Sequence, residues 1–128
     1  MIRVHHATTL QSGDEEPSVT YALVAEIQTQ SLDVALATSQ QFGSRPWTER
    51  PLVRAVVALP CRSTSLGDVL EFRGDLHIIR PAGFARVESL AAAAAEVLAA
   101  FALGSIVGSS RSAVKERNRA SRPDPSPP

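Results

Sequence analysis

An α+β fold is what the sequence predicts: a small, mostly antiparallel sheet of four or five strands, with one short helix and one alanine-rich helix packed on it. Three stretches point there. Val19, Tyr21, Leu23, Ala25 and Ile27 alternate with Thr20, Ala22, Val24 and Glu26, the period of two of a half-buried strand. Asp68–Phe72 and Leu76–Arg80 flank Arg73-Gly74-Asp75, a hairpin pattern. From Ser89 to Val107 alanine dominates and no proline intervenes, which predicts a helix.

The remaining elements follow along the chain. Residues 2–8 read as a short strand, and 11–18 as a loop of turn formers and acids. Ser31 offers an N-cap hydroxyl to a helix over 31–42, where Leu32, Ala35, Leu36, Ser39 and Phe42 recur at helical spacing before Gly43. Two prolines in residues 43–51 forbid continuing that helix, so this stretch is expected to be an ordered loop with Trp47 folded back on the body. Residues 52–60, mostly apolar between prolines, predict a buried strand, and residues 61–67 a polar turn. The hairpin closes at Pro81-Ala82-Gly83, after which Phe84 to Val87 pair briefly.

A chain of 128 residues accommodates about one domain, placed at 1–108. Residues 109–128 have few apolar groups and four prolines in the last six positions, and are expected to be a disordered basic tail. One cysteine, Cys61, excludes a disulfide framework and a cysteine-based zinc site. The N-terminal residues lack the apolar segment of a secretory signal, so a reducing, cytoplasmic setting is expected.

The 13 basic and 13 acidic side chains cancel, but unevenly along the chain. Residues 43–86 hold seven arginines against four acids, and residues 111–128 are also net basic. Arginine forks phosphates and carboxylates, although joint enrichment in Arg, Ala and Pro also follows from GC-rich coding.

The stretch richest in chemistry is Arg62-Ser63-Thr64-Ser65-Leu66-Gly67-Asp68. Three hydroxyls, free amides and one guanidinium describe an anion- or partner-binding loop. The same residues describe, more simply, a turn satisfied by its own groups, with Gly67 at a positive φ and Asp68 accepting backbone N–H bonds. Arg62 is close enough in sequence to pair with Asp68 or Glu71.

Arg62, Ser63, Thr64, Ser65, Gly67, Asp68 and Val69, with Gly83 and Phe84 closing the hairpin, resemble the RSTSVGDV-type core of small phage- and plasmid-associated actinobacterial proteins, including the YodL-like domain. Pro46-Trp47-Thr48 falls where that family carries a W-T-x-N segment, with Arg50 in place of the Asn. The resemblance spans about residues 20–87 and implies an accessory protein of a mobile genetic element, without a defined chemistry.

Other patterns carry less. Cys61 and His77 suggest a thiolate–imidazole pair, but no orienting carboxylate or oxyanion hole accompanies them. His5 and His6 are adjacent, so on a strand they point to opposite faces and do not chelate one metal. Arg73-Gly74-Asp75 spells an adhesion tripeptide in a place where turns favour glycine anyway. Leu90–Val107 has fifteen apolar residues in eighteen, yet eight are alanine and Glu96 sits near the middle, so a packed or self-associating helix is expected ahead of a membrane span. Its large side chains spread around the helix, nominating Leu98, Phe101, Leu103 and Ile106 as an interface for a protein partner or a homodimer.

No catalytic residue, cofactor or metal site is therefore assigned. The reading is a non-enzymatic accessory or regulatory protein acting by protein contact. Its rival is a nucleic-acid binder using the arginines of 43–86 and the basic tail.

Overall fold

Local chain stiffness and turn chemistry set the sheet. In the computed structural model, which describes residues 1–11, 13–58 and 60–103, these residues form β1 (Ile2–Leu10), β2 (Ser18–Ile27), α1 (Leu32–Thr38), β3 (Val53–Ala55), β4 (Val69–Phe72), β5 (Asp75–Arg80), β6 (Gly83–Val87) and α2 (Leu90–Leu103). The six strands make one sheet in the order β3-β2-β1-β4-β5-β6, every neighbouring pair antiparallel. The α+β class is as predicted; the strand count is six rather than four or five. At one end of that order Gly83–Val87 pairs with β5 along its whole length.

The predicted alternation in β2 is broken once. Val4 lies opposite Ala25 and His5 opposite Leu23, so Val24 is an extra residue, a bulge. Val24 and Ala25 thus both enter the cluster built on Ile2, Val4, Ile27, Leu70 and Ile79. Beyond the bulge the parity reverses, and Val19 and Tyr21 pack with Val69 and Ile78 on the other face, under α2. The five alternating residues do not share one face; the inserted residue divides them.

Two further expectations are corrected. The first helix stops at Thr38 rather than at residue 42, because the Ser39 hydroxyl turns back to the carbonyls of Ala35 and Leu36. Its N-cap is Ser31, whose hydroxyl accepts from the Val34 N–H as expected. Residues 52–60 are not a buried strand: only Val53–Ala55 pair, at the sheet edge, with Arg54 and Ala55 exposed. The tail 109–128 and the last turn predicted for the long helix, Ile106 included, lie outside the described residues.

Trp47 is fully buried, as predicted, at the start of a 3-10 turn. It joins α1 in covering the Ile2/Val4 face, while α2 covers part of the opposite face through Ala93 and Val97. Because β3 lies beyond β2 and β4 lies beyond β1, the connection from β3 to β4 must cross the sheet. Cys61, Leu66 and Val57 pack on the Trp47 side, which places that crossing over the Ile2/Val4 face.

The β4–β5 turn is Arg73-Gly74, with φ of 54° and 86°. Two left-handed central residues are the type I′ pattern that matches strand twist. Arginine is costly there and asparagine is not. Arg73→Asn is expected to raise stability by about 0.5 kcal/mol, net of the exposed contact of Arg73 over the Phe72 ring. Thermal unfolding of the two proteins checks it.

Candidate functional site

An irregular segment laid over a sheet face brings backbone polar groups away from water, and each needs a partner. The crossing connection meets that demand with side chains. Trp47 Nε1 donates to the Cys61 and Arg62 carbonyls at 3.1 and 2.9 Å. Gln40 Nε2 donates to the Thr64 carbonyl at 2.8 Å, and the Thr64 N–H returns to the Ser39 carbonyl at 3.0 Å. The Ser63 hydroxyl accepts from the Gln41 N–H at 2.7 Å, and Gln41 Oε1 accepts from the Trp47 N–H at 2.9 Å.

Asp68, fully buried, stands at the centre. Oδ1 accepts from the Ala7 N–H and from Arg62, both at 2.8 Å. Oδ2 accepts from Arg62 at 2.6 Å and from the Ser65 N–H at 2.8 Å. The same guanidinium donates to the Ala7 and Ser63 carbonyls at 2.8 and 2.9 Å. Arg62 therefore pairs with Asp68 and not with Glu71. Asp68 makes Arg62 harder to deprotonate, first through the side-chain hydrogen bond.

Gly67, at φ 88°, turns the chain into β4 as the sequence suggested. Its carbonyl accepts from the Tyr21 hydroxyl at 2.6 Å, and its N–H donates to the Ile79 carbonyl at 2.9 Å. Burial, with the charges of Asp68 and Glu96 added, pushes the Tyr21 phenol far up, so it stays a donor. His6 Nε2 lies 2.8 Å from the Thr64 hydroxyl, its ring 6.0 Å from that of Trp47. Burial lowers its pKa to about 4, despite the nearby Asp68 carboxylate, and leaves the imidazole neutral at pH 7.

The six loop residues named from the sequence are thus brought together, with Ser65 N–H and the Arg62 fork directed at Asp68. Sequence reasoning missed Ala7, His6, Gln40 and Gln41, which reach the loop from β1 and from the end of α1. The six-residue spacing of Arg62 and Asp68 was legible; a contact between His6 and Thr64, 58 residues apart, had no local signal.

A second polar cluster lies on the opposite face. Glu26 accepts from Arg54 Nε at 3.0 Å and Arg3 Nε at 3.1 Å, and these hydrogen bonds, Arg54 first, hold its carboxyl below the usual range. His5 Nε2 lies 2.8 Å from Glu71, which Arg3 approaches at 3.6 Å. His5 and His6 serve opposite faces. Among the described residues no group of three or more His, Cys, Asp or Glu is placed to hold a metal ion.

Burial pushes the Cys61 thiol up, against the pull of Arg62, which works against a thiolate. His77 sits on β5 opposite Leu70 and Arg86 with its Nδ1 buried and unpartnered. At the hairpin tip, Arg73 folds over the Phe72 ring and Asp75 lies 3.5 Å from Arg86. On α2, Leu98 and Phe101 are half-buried and Leu103 is 81% exposed. No described helix is long and apolar enough to cross a membrane. Compared with family models, curated proteins and solved structures, the chain matches none.

Two expectations follow. Asp68→Ala leaves a guanidinium and two amides unpaired and is expected to cost about 3–5 kcal/mol, with Gly67→Val also severe at its positive φ. Ser63→Ala, which removes one hydrogen bond, should cost about 1 kcal/mol; urea unfolding ranks the three. For His6, the unfolded chain takes a proton near pH 6.5 and the folded chain only near 4. Stability therefore falls as pH drops through that window. The loss relative to His6→Gln should reach about 3 kcal/mol, read from unfolding curves at pH 7, 5.5 and 4.

Proposed function

We propose that the protein is a non-enzymatic contact module, an accessory or regulatory protein that acts by binding another protein through α2. The observation that carries this reading is the outward face of that helix. Its exposed residues are Ala91, Ala92, Ala95, Ala99, Ala102 and Leu103, and the charge at the border of that face, Glu96, is held by Arg80. A helix that meets water on one side ordinarily presents polar residues there. An uncharged face of small side chains lets a second surface approach closely, and Leu103 gives it an apolar anchor. The resemblance to accessory proteins of mobile elements agrees with a role of this kind.

The arginines favour it over nucleic-acid binding. Of the seven arginines in residues 43–86, Arg45, Arg54, Arg62, Arg80 and Arg86 lie within 4.0 Å of a carboxylate of the same chain. A phosphate backbone would have to compete with each of those pairs.

Affinity capture from native host extract, with the wild type and Leu103→Glu compared side by side, tests the reading. A partner retained by the wild type and lost with Leu103→Glu is the expected outcome, with melting temperature unchanged. Titration against mixed-sequence DNA should give weak binding. Tight binding that falls steeply with salt would favour the nucleic-acid reading instead.

A further inference from the structure

The geometry points to β6 as a self-pairing edge: two copies of the chain join antiparallel through Gly83–Val87 and continue the sheet across a two-fold axis. This concerns a different surface from α2 and does not depend on what α2 binds.

The argument starts from which backbone groups β5 turns toward β4. The Ile79 N–H donates to the Asp68 carbonyl at 2.9 Å, and Phe72 faces Asp75 across the two-residue turn. Hydrogen-bonding direction alternates along a strand, so Asp75, His77 and Ile79 bond to β4. Leu76, Ile78 and Arg80 then bond to β6, through Val87, Ala85 and Gly83. What remains is the outer side of β6. Phe84 and Arg86 direct their N–H and C=O groups away from the sheet, and no described residue bonds to them.

Such an edge invites a strand, and proteins normally guard against it with proline, a bulge, a short strand or an unpaired charge. At the opposite edge β3 is three residues long, pairs only with Ala25–Ile27 of β2 and lies between Pro51 and Pro60. Gly83–Val87 has five residues, no proline and a regular register, and Arg86 is already drawn to Asp75.

The register selects a second copy as occupant. Only residues that point outward can form the bonded pairs. Centring the axis on Ala85 puts Phe84 opposite Arg86 of the other copy, twice, with both N–H and both C=O groups exchanged at each pair. Guanidinium then meets ring across the seam, an attractive pair. Sliding the pairing by one step to either side instead sets arginine against arginine, or phenylalanine against phenylalanine with fewer bonds.

Multi-angle light scattering and sedimentation over a wide concentration range should give a monomer–dimer equilibrium. Arg86→Pro removes only an outward donor and a guanidinium, so it should keep the fold by circular dichroism and weaken the dimer by about 10–100-fold. Independently of that variant, Ala85→Cys in a Cys61→Ala background places the two thiols at a non-bonded pair. Their Cα atoms are then about 4.5 Å apart, inside the range of about 4.4–6.8 Å that a disulfide spans. Mild oxidation should link it as a dimer. Arg86→Cys in the same background should stay unlinked, its Cα atoms being about 8–9 Å apart in this register. A monomer at every concentration overturns the inference. So does cross-linking at 86 and not at 85, or a dimer that survives Arg86→Pro and is lost with Leu103→Glu, which would place the contact on α2.

Discussion

Everything on the Ile2/Val4 face depends on one buried carboxylate. An isolated charge inside a protein is prohibitively costly, and Asp68 is tolerated because two guanidinium N–H groups and two backbone amides surround it. The amides come from different parts of the chain, Ala7 at mid-β1 and Ser65 in the crossing connection. The ion pair therefore has a topological role: it holds the start of β4 against a strand 61 residues earlier. Replacing the pair by apolar residues could fill the volume, but nothing apolar could satisfy the Ala7 and Ser65 amides at once. The site reads most simply as the fastening of a crossover.

That reading explains which parts of the architecture the sequence disclosed. Local chemistry was legible where it was also decisive: the Ser31 cap, the Arg73-Gly74 turn, the burial of Trp47 and the polar turn before β4. What escaped needed knowledge of a second segment. The bulge at Val24 is invisible in β2 because the residues on both sides are apolar and alternate without a fault; only the partner strand reveals the extra residue. The run 52–60 is hydrophobic enough for a core strand, yet only Val53–Ala55 join the ladder, at an edge and against the end of β2. His6 escaped for the same reason, since its hydroxyl partner arrives through the crossover.

The arginines read differently along the chain and in space. Seven arginines in residues 43–86 look like a basic surface when counted along the chain. In three dimensions they are distributed over both faces and both ends of the sheet, five beside carboxylates. Glu26 alone draws Arg54 and Arg3 from the strands on either side of β2. Most of these pairs are exposed and contribute little to stability. Their consequence is electrostatic: opposite charges at close range leave a field that falls off quickly.

The two faces are also held with unequal strength, which bears on where the molecule can exchange contacts. The α1 side is fastened by Trp47, by the Asp68 group and by a chain of side-chain-to-backbone bonds from Gln40 and Gln41. The α2 side depends on two fully covered small residues, Ala93 and Val97, a rim of partly buried ones, and the Arg80–Glu96 pair at 2.7 and 2.8 Å in an exposed position. Alanine covers little apolar area per residue, so the helix gains less from the sheet than its length suggests. Elements with few buried contacts open at lower cost than those in the core. It follows that α2 and the adjoining β6, not the tightly satisfied loop at Asp68, form the part of this fold that gains most from a second surface.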